Sequence, residues 1–239
     1  MFSSERIRSG LEMLGNGAIV VIAALLLWTQ LIKPDRAVGD ARDALDDVAM
    51  HASMLTKRMG IADRILLEFS DFQCPFCAEH ALVELPRIRR ELVDTGILSY
   101  GYLHFPLKAI HPEATVAGVA AECARGQDRF WEMHDRLFAN RERLSRRELA
   151  SQAEEMGLDQ MLFEECMRGD VAMAAVEADF QQGLALGVRA TPTFFIGTVD
   201  ANGVVELTSR IRGQVTVETI KDALAMDDGG LAWWRAWLP

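Results

Sequence analysis

At 239 residues, half of them apolar and a quarter charged, the chain has the composition of a globular protein and not of a disordered one. A net charge of −10 argues against nucleic acid as a partner, because phosphate binding needs basic clusters. Four cysteines, an even number, suit two disulfides in an oxidising compartment.

Residues 1–12 read as a short cytoplasmic N-terminus. From Met13 to Ile32 no residue is charged, and at about 1.5 Å per residue this run spans roughly the 30 Å of a bilayer's hydrocarbon. A cleaved signal peptide would need a small-residue site, and Trp28-Thr-Gln-Leu-Ile-Lys-Pro34 has none. Residues 13–33 are therefore expected to be a retained transmembrane signal anchor. Arg6 and Arg8 on one side match Lys33 and Arg36 on the other, so charge does not set the orientation. In residues 34–60, Val38, Ala41, Leu45, Val48 and Ala52 recur at helical spacing, which predicts a spacer helix.

The next domain is expected over residues 61–228. Ile65–Phe69 reads as a buried strand, followed by a turn and then Cys74-Pro75-Phe76-Cys77. Pro75 suits the first helical position, which puts Cys74 at a helix N-cap, where free N–H groups and the helix dipole favour a thiolate. Cys77 lies within disulfide reach. A helix to about Thr95 precedes a strand from Ile97 to Phe105. The pattern is helical across roughly 111–187, with a Ser145/Glu148 capping box and an N-capping Asp at 159 and 170. Strand returns at Thr193–Val199 and Val204–Ile211 around Asn202-Gly203, a hairpin signal. A helix from Thr216 to Met226 closes the domain. Residues 229–239 hold three of the five tryptophans and are expected to dock on the domain or to lie at a membrane interface.

Several stretches, taken together, resemble the DsbA-like branch of the thioredoxin superfamily: Glu68-Phe-Ser-Asp-Phe-Gln-Cys-Pro-Phe-Cys77, Phe105-Pro-Leu-Lys-Ala-Ile-His-Pro112, the segment Cys123 to Phe138, and Ala190-Thr-Pro-Thr-Phe-Phe-Ile196. The resemblance implies an α/β thioredoxin fold with an inserted helical domain. It also implies a redox-active Cys74–Cys77 pair, with Cys74 the nucleophile and Cys77 the resolving thiol. Pro192 matches the family's cis-proline, with Thr191 offering backbone to a substrate peptide; otherwise Thr-Pro would simply start a strand. Glu68 matches the buried acid that exchanges a proton with Cys77, against the plainer reading of a solvated strand-edge glutamate.

A C-x-x-C is also half of a zinc site, and His80 extends it to C-x-x-C-x-x-H. Cys123 and Cys166 stand apart instead of forming a second pair, so no metal is expected. They either form a structural disulfide or remain buried thiols. His104 and His111 are expected to be structural. The reading is a membrane-anchored protein disulfide oxidoreductase of the cell envelope, facing the periplasm, needing no cofactor. Its partners would be cysteine-containing exported proteins and a redox protein that recycles the pair. Pro-Phe departs from the Pro-His of the family's best-known oxidases, and Thr191 from their valine. Isomerase or reductase is therefore the alternative direction, and a non-catalytic module that holds substrates or captures metal is the alternative class.

Overall fold

The computed structural model describes residues 38–40, 50–51 and 57–227; the expected anchor and the tryptophan-rich tail lie outside them. Among the described residues no helix is long and apolar enough to cross a membrane.

Strand β4 (Arg64–Ser70) is buried along almost its whole length, as befits a central strand covered on both faces. It runs parallel to β5 (Ser99–His104) and antiparallel to β6 (Thr193–Val199). A parallel pair needs a crossover, and α1 supplies it. This helical run comprises Pro75–Glu79, His80–Glu84, Leu85–Ile88 and Arg89–Val93, the second and fourth pieces being π turns. Pro86 explains the first widening: a proline inside a helix lacks its N–H and collides with the carbonyl four residues back. The ladder adjusts, and the Leu85 N–H bonds to the His80 carbonyl.

The hairpin partner of β6 is β7 (Val204–Arg212), and Gly203 takes a positive φ in the turn that joins them. Helix α7 (Val217–Asp227) ends the described chain. Between β5 and β6 come five helices: α2 (Ala114–Arg125), α3 (Phe130–Ala139), α4 (Arg146–Glu155), α5 (Gln160–Arg168) and α6 (Val171–Ala185). The Ser145/Glu148 capping box opens α4, and the Asp159 carboxylate accepts the Leu162 N–H at the start of α5. The thioredoxin-like α/β fold with a helical insert is therefore present. The insert packs closely on the sheet: a Cβ at Gly183 of α6 would lie 2.5 Å from the Phe105 ring.

The segment 34–60 departs from expectation. In place of a spacer helix, its described parts are three short strands: β1 (Val38–Asp40) and β2 (Met50–His51), both on β7, and β3 (Arg58–Met59) on β5. The sheet order is β1-β7-β6-β4-β5-β3. Edge pairing with distant strands outweighs the thin apolar spacing that suggested a helix, so the folded unit begins upstream of residue 61.

Just before β3, Lys57 is buried at 4% exposure. Its Nζ reaches Glu122 Oε1 at 3.1 Å and Asp179 Oδ2 at 2.8 Å. His104 Nε2 (3.0 Å) and Arg125 Nε (2.6 Å) complete the surroundings of Glu122. His104, Glu122 and Asp179 converge closely enough to suggest metal ligation, but the Lys57 ammonium already occupies the acidic oxygens.

Cys123 of α2 and Cys166 of α5 are joined in a disulfide. Closing a loop of this size limits the unfolded chain, and losing a native disulfide costs about 2–4 kcal/mol. Cys123→Ala is accordingly expected to lower thermal stability by that amount while leaving exchange at Cys74 largely unchanged. Equal melting temperatures in calorimetry would refute this.

Candidate active site

The turn that carries Cys74 is built by Asp71. Its Oδ1 accepts the Gln73 N–H at 2.7 Å, an Asx turn, and its backbone carbonyl accepts the Cys74 N–H at 3.0 Å. Its Oδ2 accepts the Leu107 N–H (2.7 Å) and the His111 Nδ1–H (2.8 Å), tying the turn to the 105–112 segment. Phe72 anchors the same turn from below, its ring centroid 5.5 Å from Tyr102 of β5 and 4.8 Å from Phe138 of α3.

Cys74 then sits at the N-cap of α1, in extended conformation, with Pro75 in the first turn. Cys74 and Cys77 are both free thiols, Cys74 at 4% exposure and Cys77 at 0%, so of the two only Cys74 reaches the surface. Thr191-Pro192 is a cis peptide, and Cys74 Sγ lies 3.4 Å from the Thr191 carbonyl oxygen. The predicted cysteine pair and the Thr-Pro pair therefore meet.

The two sulfurs differ sharply. The Cys77 thiol donates toward Cys74 and lowers its pKa to about 6 against the opposing effect of burial, with help from the Cys77 and Phe76 N–H groups. Burial first, then the neighbouring Cys74 and the charge of Glu68, push Cys77 far above its ordinary value. At neutral pH the site holds one thiolate and one thiol.

Glu68 is fully buried on β4 beneath this pair, not solvated at an edge. Burial raises its carboxyl to about 7, partly offset by the hydrogen bond from Tyr100 and by the nearby Ser70 hydroxyl. A group half-protonated near pH 7 can give or take a proton in turnover. The Tyr100 O–H donates to Glu68 Oε2, and His80 Nε2 lies 3.2 Å from the Tyr100 oxygen. His80 is itself buried, and burial drops its pKa to about 3, so it stays neutral. It faces the sheet and not the C-x-x-C sulfurs as a third metal ligand would.

Asp71 and Tyr100 were not singled out by sequence reasoning, and His80 was named only as the third residue of a zinc-type spacing. Asp71 carried a usable signal, an aspartate two residues before Gln73 in a turn. The tyrosine carried only strand alternation. Of the two histidines expected to be structural, His104 joins the Lys57 cluster and His111 holds Asp71.

Residues 61–211 match the family model described as Thioredoxin. The fold is similar to α-DsbA1 of Wolbachia pipientis at 22% identity and TM-score 0.61, covering 72% of this chain and 90% of that one. It is also similar to oxidised BdbD of Bacillus subtilis at 20% identity and TM-score 0.59, covering 77% and 98%. Among curated proteins, the Na(+)/H(+) antiporter NhaA 3 of Salinispora tropica is 36% identical over 131 residues, which is 55% of this chain. That match covers 20% of the antiporter, so this chain spans about a fifth of that relative's length. The chain belongs to the thioredoxin family, and its sheet, helical insert and dithiol site give it the fold of the DsbA thiol–disulfide oxidoreductases.

Proposed function

We propose that this protein is a dithiol oxidase that introduces disulfides into cysteine-containing exported proteins. The observation that carries the reading is the asymmetry of the pair: Cys74 favours the thiolate, with a pKa of about 6, while buried Cys77 holds its proton. Whatever stabilises the reduced form makes the disulfide a stronger electron acceptor.

In the forward direction a substrate thiolate attacks Cys74 Sγ of the Cys74–Cys77 disulfide. The Cys74–Cys77 bond breaks, a substrate–Cys74 bond forms, and Cys77 leaves with the electron pair and takes the proton of Glu68. A second substrate thiolate attacks the substrate sulfur of the mixed disulfide. The substrate departs oxidised, Cys74 departs as the thiolate, and the protein is reduced by two electrons. A separate redox protein must then remove those electrons. The Thr191 carbonyl beside the sulfur would align the substrate backbone as an added strand. No cofactor or metal enters any of these steps.

The Cys123–Cys166 disulfide supports an oxidising compartment. The proposal therefore puts the domain outside the cytoplasmic membrane, in the periplasm, held by the uncharged Met13–Ile32 run. The ring of Phe76, a residue 60% exposed between the cysteines, cannot donate to the thiolate as an imidazole would, so the potential should fall between those of thioredoxin and the strongest oxidases. Two measurements test this: thiolate absorbance against pH, expected to show a transition near 6, and equilibration with a glutathione buffer. A Cys74 pKa near that of a free thiol, together with a thioredoxin-like potential, would make the protein a reductase instead.

A further inference from the structure

Resting on the proposed proton exchange between Glu68 and Cys77, we propose that His80 and Tyr100 are positioning residues whose donors run one way into Glu68 Oε2, leaving Oε1 as the oxygen that exchanges the proton. Tyr100 has one hydroxyl hydrogen, and it is directed to Oε2. The contact between His80 Nε2 and the Tyr100 oxygen therefore has the histidine as donor, which fixes the imidazole as the Nε2–H tautomer. Its other nitrogen, Nδ1, is buried with no partner, as is Glu68 Oε1.

Running the chain the other way would put the carboxyl proton on Oε2, turn the tyrosine hydrogen toward His80 and leave Nδ1–H as a buried donor without an acceptor. Orphaned buried N–H groups are the rarer and costlier kind, so the observed direction is favoured. The π turn at His80–Glu84 starts at this histidine, three residues past Cys77. Its ring packs 4.6 Å from that of Phe194, which lies opposite Glu68 in the β4–β6 register.

The groups facing Glu68 are few. They are Cys74 and Cys77 from α1, Tyr100 and Tyr102 from β5, and Ser70 from its own strand. The β6 neighbour is apolar Phe194. His134 of α3 acts electrostatically on His80. Only Tyr100 is an O–H donor fixed on Oε2 with a second donor behind it.

The test uses the full-length reduced protein with carbon-13 in the glutamate carboxyls, titrated by NMR, beside the pH profile of disulfide reduction by dithiothreitol. Tyr100→Phe is expected to raise the Glu68 transition by about one to two pH units, the worth of a hydrogen bond to a charged acceptor. The matching inflection in the exchange profile should move with it. In a Glu68→Gln background that inflection is gone, and adding Tyr100→Phe should change nothing further. His80→Leu should shift the transition in the same direction but less, and His80→Gln, which keeps a donor at that place, should return it toward the native value.

An unmoved Glu68 transition in folded Tyr100→Phe overturns the proposal, as does an equal effect of that change with and without Glu68. If Tyr100→Phe does not fold, the His80 pair decides: equal transitions in His80→Leu and His80→Gln overturn it. The carboxyl titration needs no substrate, so failure of the native protein to oxidise reduced proteins would reject the proposed function and leave this result standing.

Discussion

Replacing Cys74 with serine is expected to abolish disulfide exchange, because a hydroxyl forms no sulfur–sulfur bond and is not ionised at neutral pH. Cys77→Ser should behave differently. Its Cys74 can still attack a disulfide in another protein, but the thiol that would resolve the product is gone. Covalent adducts released by dithiothreitol should therefore accumulate and be visible on a non-reducing gel. The contrast follows from geometry: Cys74 keeps a small exposed face and Cys77 none. Retained exchange in Cys74→Ser, or equal adduct formation in both variants, would show that the nucleophile has been assigned to the wrong sulfur.

Loss of the Lys57 ammonium is expected to be the costliest charge change in the fold. Lys57→Met keeps most of the side-chain volume but leaves Glu122 and Asp179 without their buried cation, and breaking such a group costs about 3–5 kcal/mol. Burial alone would raise the Glu122 carboxyl, but His104, Lys57 and Arg125 together hold it well below the ordinary range. A carboxyl whose folded pKa is depressed contributes stability that is complete above its unfolded value, about 4.3, and is lost as pH falls below that. Chemical denaturation from pH 7 to pH 3 should therefore show native stability falling with acid, with a smaller acid-dependent part in Lys57→Met. An Arg125 change at the half-exposed rim should cost under about 1 kcal/mol.

What the sequence revealed and what it hid divide along the range of the interactions. The C-x-x-C with Pro75, the Ser145/Glu148 box and the Asp159 cap are local devices, and each acts in the structure as its spacing suggests. Thr191-Pro192 was readable because its motif is distinctive, although only the fold brings it to Cys74. The meeting of Tyr100 and His80 with Glu68 was not readable, since it depends on the β4–β5 register and on a π turn that no periodicity announces. The short strands β1 to β3 failed for a related reason. Two or three residues carry too little pattern to compete with an apparent helical spacing, and their pairing is decided by partners far along the chain.

Those strands also bear on where the protein can be cut. The family match starts at residue 61, and a fragment beginning there would retain every group of the dithiol site. It would nevertheless lose the strands that cover β7 and β5, as well as the cation between Glu122 and Asp179. Uncovered strands are templates for pairing with other chains. The failure of such a fragment would be insolubility in the presence of intact chemistry, easily mistaken for an inactive enzyme. A recombinant domain meant for assay should begin ahead of Val38.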